Sequence, residues 1–232
     1  MGSVKRLVLL ANSRKHSGRC IAGKELLGSG YGPWVRPISE RPSAEVSLHE
    51  RSYENGKEPQ ILDIVEVPLL KASPSLHQTE NHLIDSGLCW LKKGELKWTD
   101  LDQLIDHPNS LWGSGQSSYY GLNDRVTLND VSTYTHSLAL IEPVSLNVTV
   151  DTEGEEFGNP RRRVRASFSY QGIKYSLAIT DPIAVGVFRP KSEGAYPLTN
   201  SLLCVSLGEV WEGYCYKLVA TVVNKELLAA KA

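Results

Sequence analysis

The chain has 232 residues, of which 41% are hydrophobic and 22% charged, with a net charge of −1. Such a length buries a core without disulfides or metal, and the composition is that of an ordered globular protein. No apolar run approaches the ~20 residues of a spanning helix, the apolar residues 7–11 are too short for a signal-peptide core, and the four cysteines form no CxxC pair, so a cytoplasmic protein with buried thiols is expected, without membrane association, structural zinc or another cofactor.

Charge is uneven along the chain. Residues 1–36 carry seven Lys/Arg against one acid, for +6, whereas residues 61–134 carry five against ten, for −5. Any nucleic-acid contact must therefore use a local patch. Residues 7–11 read as a buried strand followed by a polar loop through Gly18, and residues 34–38 as another strand. Residues 61–70 alternate β-branched side chains with acids, which places Asp63, Val65 and Val67 on one strand face. Residues 99–106 suggest a short helix with Thr99 as N-cap and His107-Pro108 as the stop. Beyond residue 138 the pattern is almost purely β, with strands expected over 138–150, 163–170, 174–179, 202–207 and 214–223 and a tight hairpin at Gln171-Gly172. Five short strands in that span fit a small barrel such as an OB-fold. The expected fold class is therefore mainly β, with two OB-fold-like small barrels. Residues 1–135 hold the first, carrying a longer, partly helical insertion at about 71–134, and residues 136–232 hold the second.

Several strings come in a telling order: Leu-Ala-Asn-Ser at 10–13, Gly-Arg-Cys-Ile-Ala-Gly-Lys-Glu at 18–25 and Trp-Val-Arg-Pro-Ile-Ser at 34–39. Glu-Asn-His-Leu-Ile-Asp follows at 80–85, Tyr-Gly-Leu-Asn-Asp-Arg-Val at 120–126, and Ser-Leu-Gly-Glu with Glu-Gly-Tyr-Cys-Tyr-Lys-Leu-Val-Ala within 206–220. Over essentially the whole chain these resemble the bacterial dual OB-fold domain family. The resemblance implies two OB barrels and a nucleic-acid-binding module of a prokaryotic, conflict-related system. It implies no reaction.

Gly18 to Lys24 has the spacing of a phosphate-binding loop, but Glu25 stands where a Ser or Thr would hold magnesium, and the glycine-rich run after it cannot continue as a helix. A barrel strand with Gly18 and Gly23 at bends is the better reading. Arg14, Lys15, Arg19, Lys24 and Arg36 lie around Tyr31 and Trp34, the mixture of cations and rings that a single-strand groove uses. The alternative is a core Trp34 among ordinary surface charges. In Arg161–Arg165 the odd positions share one strand face, so Arg163 and Arg165 are candidate phosphate contacts, unless the acids at 153, 155 and 156 simply offset them.

His77, Glu80, Asn81 and His82 match no metal template, because histidines five apart diverge on a helix. They read as a polar network or as ligand contacts. Tyr120, Asn123, Asp124 and Arg125 combine stacking and hydrogen-bonding groups in one string, or else form a turn with Arg125 paired to an acid. No nucleophile constellation appears, and no catalytic residue is assigned.

Two functions from different classes stay open. One is a non-enzymatic module for single-stranded DNA or RNA, using Arg14, Lys15, Arg19, Lys24, Trp34 and Arg36 on the first barrel with Arg163 and Arg165 on the second. The other is a nucleotide-like ligand sensor or enzyme, with a pocket at the first barrel's insertion built from the His77–His82 and Tyr120–Arg125 groups. A protein-interaction subunit of a larger system is the plainer third reading.

Overall fold

The computed structural model describes residues 2–28 and 30–230. The chain divides into two compact units. One comprises residues up to Ile105 together with Thr135–Ser137, and the other Asp106–Tyr134 with the chain from Leu138 onward. This differs from the boundary expected near residue 135. Residues 106–134 fold with the second unit because Leu111, Trp112, Val126 and Val131 enter its core. The stretch 71–134 is thus shared between the units rather than inserted into the first.

The first unit runs β1 (Ser3–Lys15), β2 (Gly18–Leu27), β3 (Gly30–Ile38), α1 (Leu48–Arg51), β4 (Asp63–Ala72), β5 (Asn81–Ile84) and β6 (Leu91–Glu95). Its strand order is β1-β2-β3-β5-β4, closed by pairing of β4 with β1. Among the described strands of this unit, β3 and β5 are the pair that runs parallel. This closed Greek key is an OB barrel. Closure depends on the length of β1, whose residues Ser3–Val8 pair with β4 while Leu7–Lys15 pair with β2. A bulge between Leu9 and Ala11 bends the strand between its two partners. The string with phosphate-loop spacing is the strand β2. Gly18 and Gly23 serve close backbone approach, since a Cβ at Gly23 would lie 2.2 Å from the Val8 carbonyl oxygen and one at Gly18 2.6 Å from that of Val46.

The helix expected over 99–106 is instead a 3₁₀ turn over Trp98–Leu104, flanked by Lys97 without a side-chain cap. The Thr99 hydroxyl turns to Asp100 rather than to the backbone. Leu101 and Leu104 are both buried, and a three-residue turn sets side chains at i and i+3 directly above one another.

The second unit contains β7 (Arg125–Thr127), α2 (Leu128–Val131), β8 (Leu138–Ile141), β9 (Val144–Glu153), β10 (Arg161–Tyr170), β11 (Ile173–Ile179), α3 (Pro182–Phe188), β12 (Gly194–Pro197), β13 (Ser201–Trp211), β14 (Tyr214–Asn224) and α4 (Lys225–Ala229). The strand expected over 138–150 is interrupted at Glu142-Pro143, where proline has no N–H to give a ladder. Its halves take different partners: β8 pairs with β13 and β9 with β10. The broken strand therefore plays the part that β1 plays in the first unit. The order β9-β10-β11-β14-β13-β8, with β11 and β14 parallel, is a second OB barrel. Gln171 and Gly172 have φ of +48° and +75°, the left-handed pair of a type I′ hairpin. On β10, Val164, Ala166, Phe168 and Tyr170 enter the core while Arg161, Arg163 and Arg165 face outward, the alternation read from the sequence.

Candidate functional site

In the first unit the outward side of β2 and β3 is covered by the unit's own chain. Lys24 is buried and donates to the Leu104 carbonyl at 2.8 Å, with its ammonium 5.6 Å from the centroid of the half-buried Trp34. Arg36 is 2% exposed. It pairs with Glu80 Oε1 at 3.0 Å and donates to Ser137 Oγ at 2.7 Å and Asn81 Oδ1 at 3.3 Å. The expectation that Lys24, Trp34 and Arg36 form an open groove thus meets a filled interior. The strand pattern supplied the face of these side chains but not the segment that covers it.

His77, Glu80 and Asn81 are also buried, in or beside the loop joining β4 to β5, and His82 Nδ1 sits 2.9 Å from the Glu80 carbonyl oxygen. Glu80 and Asn81 of this string meet Arg36 in a buried polar cluster. Arg14, Lys15 and Arg19 belong to the β1–β2 hairpin, where Arg14 and Arg19 stand opposite each other. Like charges in that position repel.

The second unit gathers residues that the sequence reading kept apart. Tyr120, Asn123, Asp124 and Arg125 lie here and not on the first barrel. Residues 118–128 run from the β9–β10 loop past β11 to the start of β14. At the start, the Tyr120 hydroxyl contacts Glu156 and accepts the Gly154 N–H at 2.6 Å, beside the β9–β10 loop. In the middle, Leu122 pairs with Ser176 of β11, and the Asp124 carbonyl accepts the Lys217 N–H of β14. At the far end β7 pairs with Tyr214–Tyr216. The segment fills a seam that β11 and β14 close only at Ala178–Leu218 and Ile179–Val219.

Rings mark both ends of this crossing. Tyr119 and Phe157 are 74% and 66% exposed and meet edge to face at 5.5 Å. Trp211, 60% exposed, lies 5.8 Å from Tyr216, and the Arg125 guanidinium sits 4.0 Å over Tyr214. Between β9, β10 and β11 a cleft of about 370 Å³ is lined by Tyr120, Asp151, Glu153, Arg163, Arg165 and Glu193, among others. Arg165 is held by Glu153 in a two-pronged contact at 2.6 and 3.0 Å, and Asp124 stands 4.0 Å away. Arg163 is exposed, and no hydrogen bond or ion pair holds it among the described residues. Asp124 is further fixed by the Ser118 N–H at 2.7 Å and the Ser118 hydroxyl at 2.5 Å. Burial and the nearby Glu156 carboxylate push the Tyr120 phenol upward, and hydrogen bonding to Glu156 does the same for Tyr119. Both therefore stay neutral hydrogen-bonding rings at neutral pH.

Comparison with protein families decides the assignment: the model of the dual OB-containing domain matches residues 5–222. The chain belongs to that family. The match spans both barrels, in agreement with the two strand orders. No curated protein and no solved structure matches the chain.

One further feature of this dual OB chain escaped the sequence reading. A cleft of about 830 Å³ in the first barrel is lined by Tyr53, Lys57, Asp63, Trp90, Lys92 and Lys93, among others. Buried Asp63 accepts the Tyr53 hydroxyl at 2.7 Å and the Gln60 N–H at 2.8 Å, and pairs with Lys92 at 2.7 Å. The strand alternation puts Asp63 on the same face as Val65 and Val67, which is the available signal. Its partners come from residues 53–60 and from β6, and neither has a recognisable motif.

Proposed function

We propose that the second OB barrel is a non-enzymatic module that binds single-stranded nucleic acid across its outer face, from Phe157 to Trp211. The observation that carries this reading is the exposed Tyr119–Phe157 pair, in which Tyr119 also meets the ring of Tyr120, a lining residue of the cleft walled by the unpaired Arg163. Exposed rings stack bases without regard to sequence, and cations beside them track phosphates. The face formed by the second and third strands and the adjoining loops is where OB barrels take oligonucleotides, which here means β10, β11, the β9–β10 loop and the β13–β14 hairpin. Arg163 and Lys174, an exposed residue of β11, are the cationic contacts to the strand, Arg165 is a positioning residue locked by Glu153, and Arg125 stiffens Tyr214. The bacterial, conflict-related setting rests on the resemblance alone.

Asp151, Glu153 and Glu193 line the same cleft as the arginines. Stacking thus supplies more of the affinity than charge, and the salt dependence is shallow for a nucleic-acid binder. The test is fluorescence anisotropy with single-stranded DNA and RNA at two salt concentrations. Tyr119→Ala combined with Phe157→Ala weakens binding on the order of tenfold or more, since each stacked base contributes ~1–3 kcal/mol. Absence of binding to either polymer at low salt overturns the reading and favours a protein partner on the same exposed rings.

A further inference from the structure

Asp151 on β9 and Arg163 on β10 are directly opposed in the sheet register. Opposite charges so placed ordinarily join, because their Cβ atoms lie ~5 Å apart. Here they do not: the Asp151 carboxylate accepts the neighbouring Thr152 N–H at 2.9 Å, and Arg163 is unpaired among the described residues. Both line the cleft of about 370 Å³. Arg165 cannot substitute for either, being fixed to Glu153 by two hydrogen bonds. The wall thus offers a five-donor guanidinium fork beside a carboxylate, each available to a ligand. Tyr120 lines the same cleft, its hydroxyl tethered to Gly154.

We infer that this cleft selects a guanine base from a bound single strand. The inference rests on the nucleic-acid reading of the same face and adds its base preference. Guanine presents two acceptors, O6 and N7, that fit an arginine fork, and two donors, N1–H and the 2-amino group, that fit a carboxylate. Adenine's N1 and N7 acceptors lie on either side of its one amino group, so it has neither the acceptor pair nor the donor pair of guanine, and thymine or uracil has a single N–H between two carbonyls. Cytosine has acceptors for the fork but only one amino donor for the acid. Guanine is therefore the base able to satisfy both Arg163 and Asp151 through two-pronged contacts. A single-stranded substrate is required, because the donors on the pairing edge are occupied in a duplex.

The test uses the full chain and thymidine oligonucleotides carrying one central guanine, cytosine, adenine, hypoxanthine or 7-deazaguanine, read by anisotropy. The guanine strand binds most tightly, by on the order of 5- to 150-fold over all-thymidine. Hypoxanthine lacks the 2-amino group and 7-deazaguanine lacks N7, and each loses part of that gain. Asp151→Asn removes the difference between guanine and hypoxanthine. Arg163→Lys removes the difference between guanine and 7-deazaguanine. Both positions are exposed, so the fold survives either change. Equal affinity for all strands, with dependence on Tyr119 and Phe157 retained, overturns the guanine assignment and leaves the binding function standing. Loss of binding to every strand overturns both.

Discussion

Lys217 lies on the inward side of β14 between Cys215 and Val219, 1% exposed, with its ammonium donating to the Gly113 carbonyl at 2.7 Å and 5.5 Å from the Tyr175 ring centroid. Burial pushes its pKa down to about 8, against an opposing pull from Asp124. The unfolded chain holds that proton up to ~10.4. Between these values the unfolded state binds more protons, so stability rises with pH. The penalty of the buried charge is fully present below about 8 and is relieved as pH climbs above it. Relative to Lys217→Met, the parent protein gains about 1 kcal/mol between pH 8 and 9, measured by urea unfolding at each pH. Arg36 is the other instructive residue. The sequence shows a cation next to a tryptophan, which suits a groove as well as a core. Only the long-range partners Glu80, Asn81 and Ser137 decide, and no local pattern brings them together. Arg163 was legible, because a strand with buried Val164 and Ala166 must present it outward.

Among the elements, those with strict two-residue alternation were readable, as were hairpins with left-handed turn residues. β10, β11 and the Gln171-Gly172 turn belong to this class. The short strands β5, β6 and β7 were not, since three to five residues carry too little pattern and each exists through its partner strand. The break at Glu142-Pro143 carried a proline signal, but apolar residues on both sides made one strand the simpler reading. β1 and β2 depend on a single glycine. At Gly23 a methyl group would press on the Val8 backbone, and backbone has no rotamer with which to yield. Gly23→Ala opens the β1–β2 register at the bulge and lowers first-barrel stability by about 2 kcal/mol or more, seen as a lower thermal midpoint with the second barrel's strand signal retained.

For the whole molecule, the fold class and the presence of two barrels were legible, and the partition of the chain was not. Residues 106–134 precede the second barrel's strands yet supply Leu111, Trp112, Val126 and Val131 to its core. A fragment of residues 136–232 therefore exposes the matching apolar surface and fails to fold cooperatively, whereas residues 106–232 form a cooperative unit. Circular dichroism melts and amide dispersion in proton–nitrogen spectra distinguish the two outcomes.

The strap across the second barrel also sets an order of events during synthesis. Its residues 118–128 leave the ribosome long before β14, yet β7 can pair only with β14, the last strand among those described. Contacts so distant in sequence form late. Until β14 arrives, the strap lacks the partner of its β7 end, and Tyr214 and Tyr216 do not yet exist. A chain that stops before β14 consequently lacks one end of the proposed stacking surface, and under the nucleic-acid reading full capture of a strand is expected only once β14 has been made.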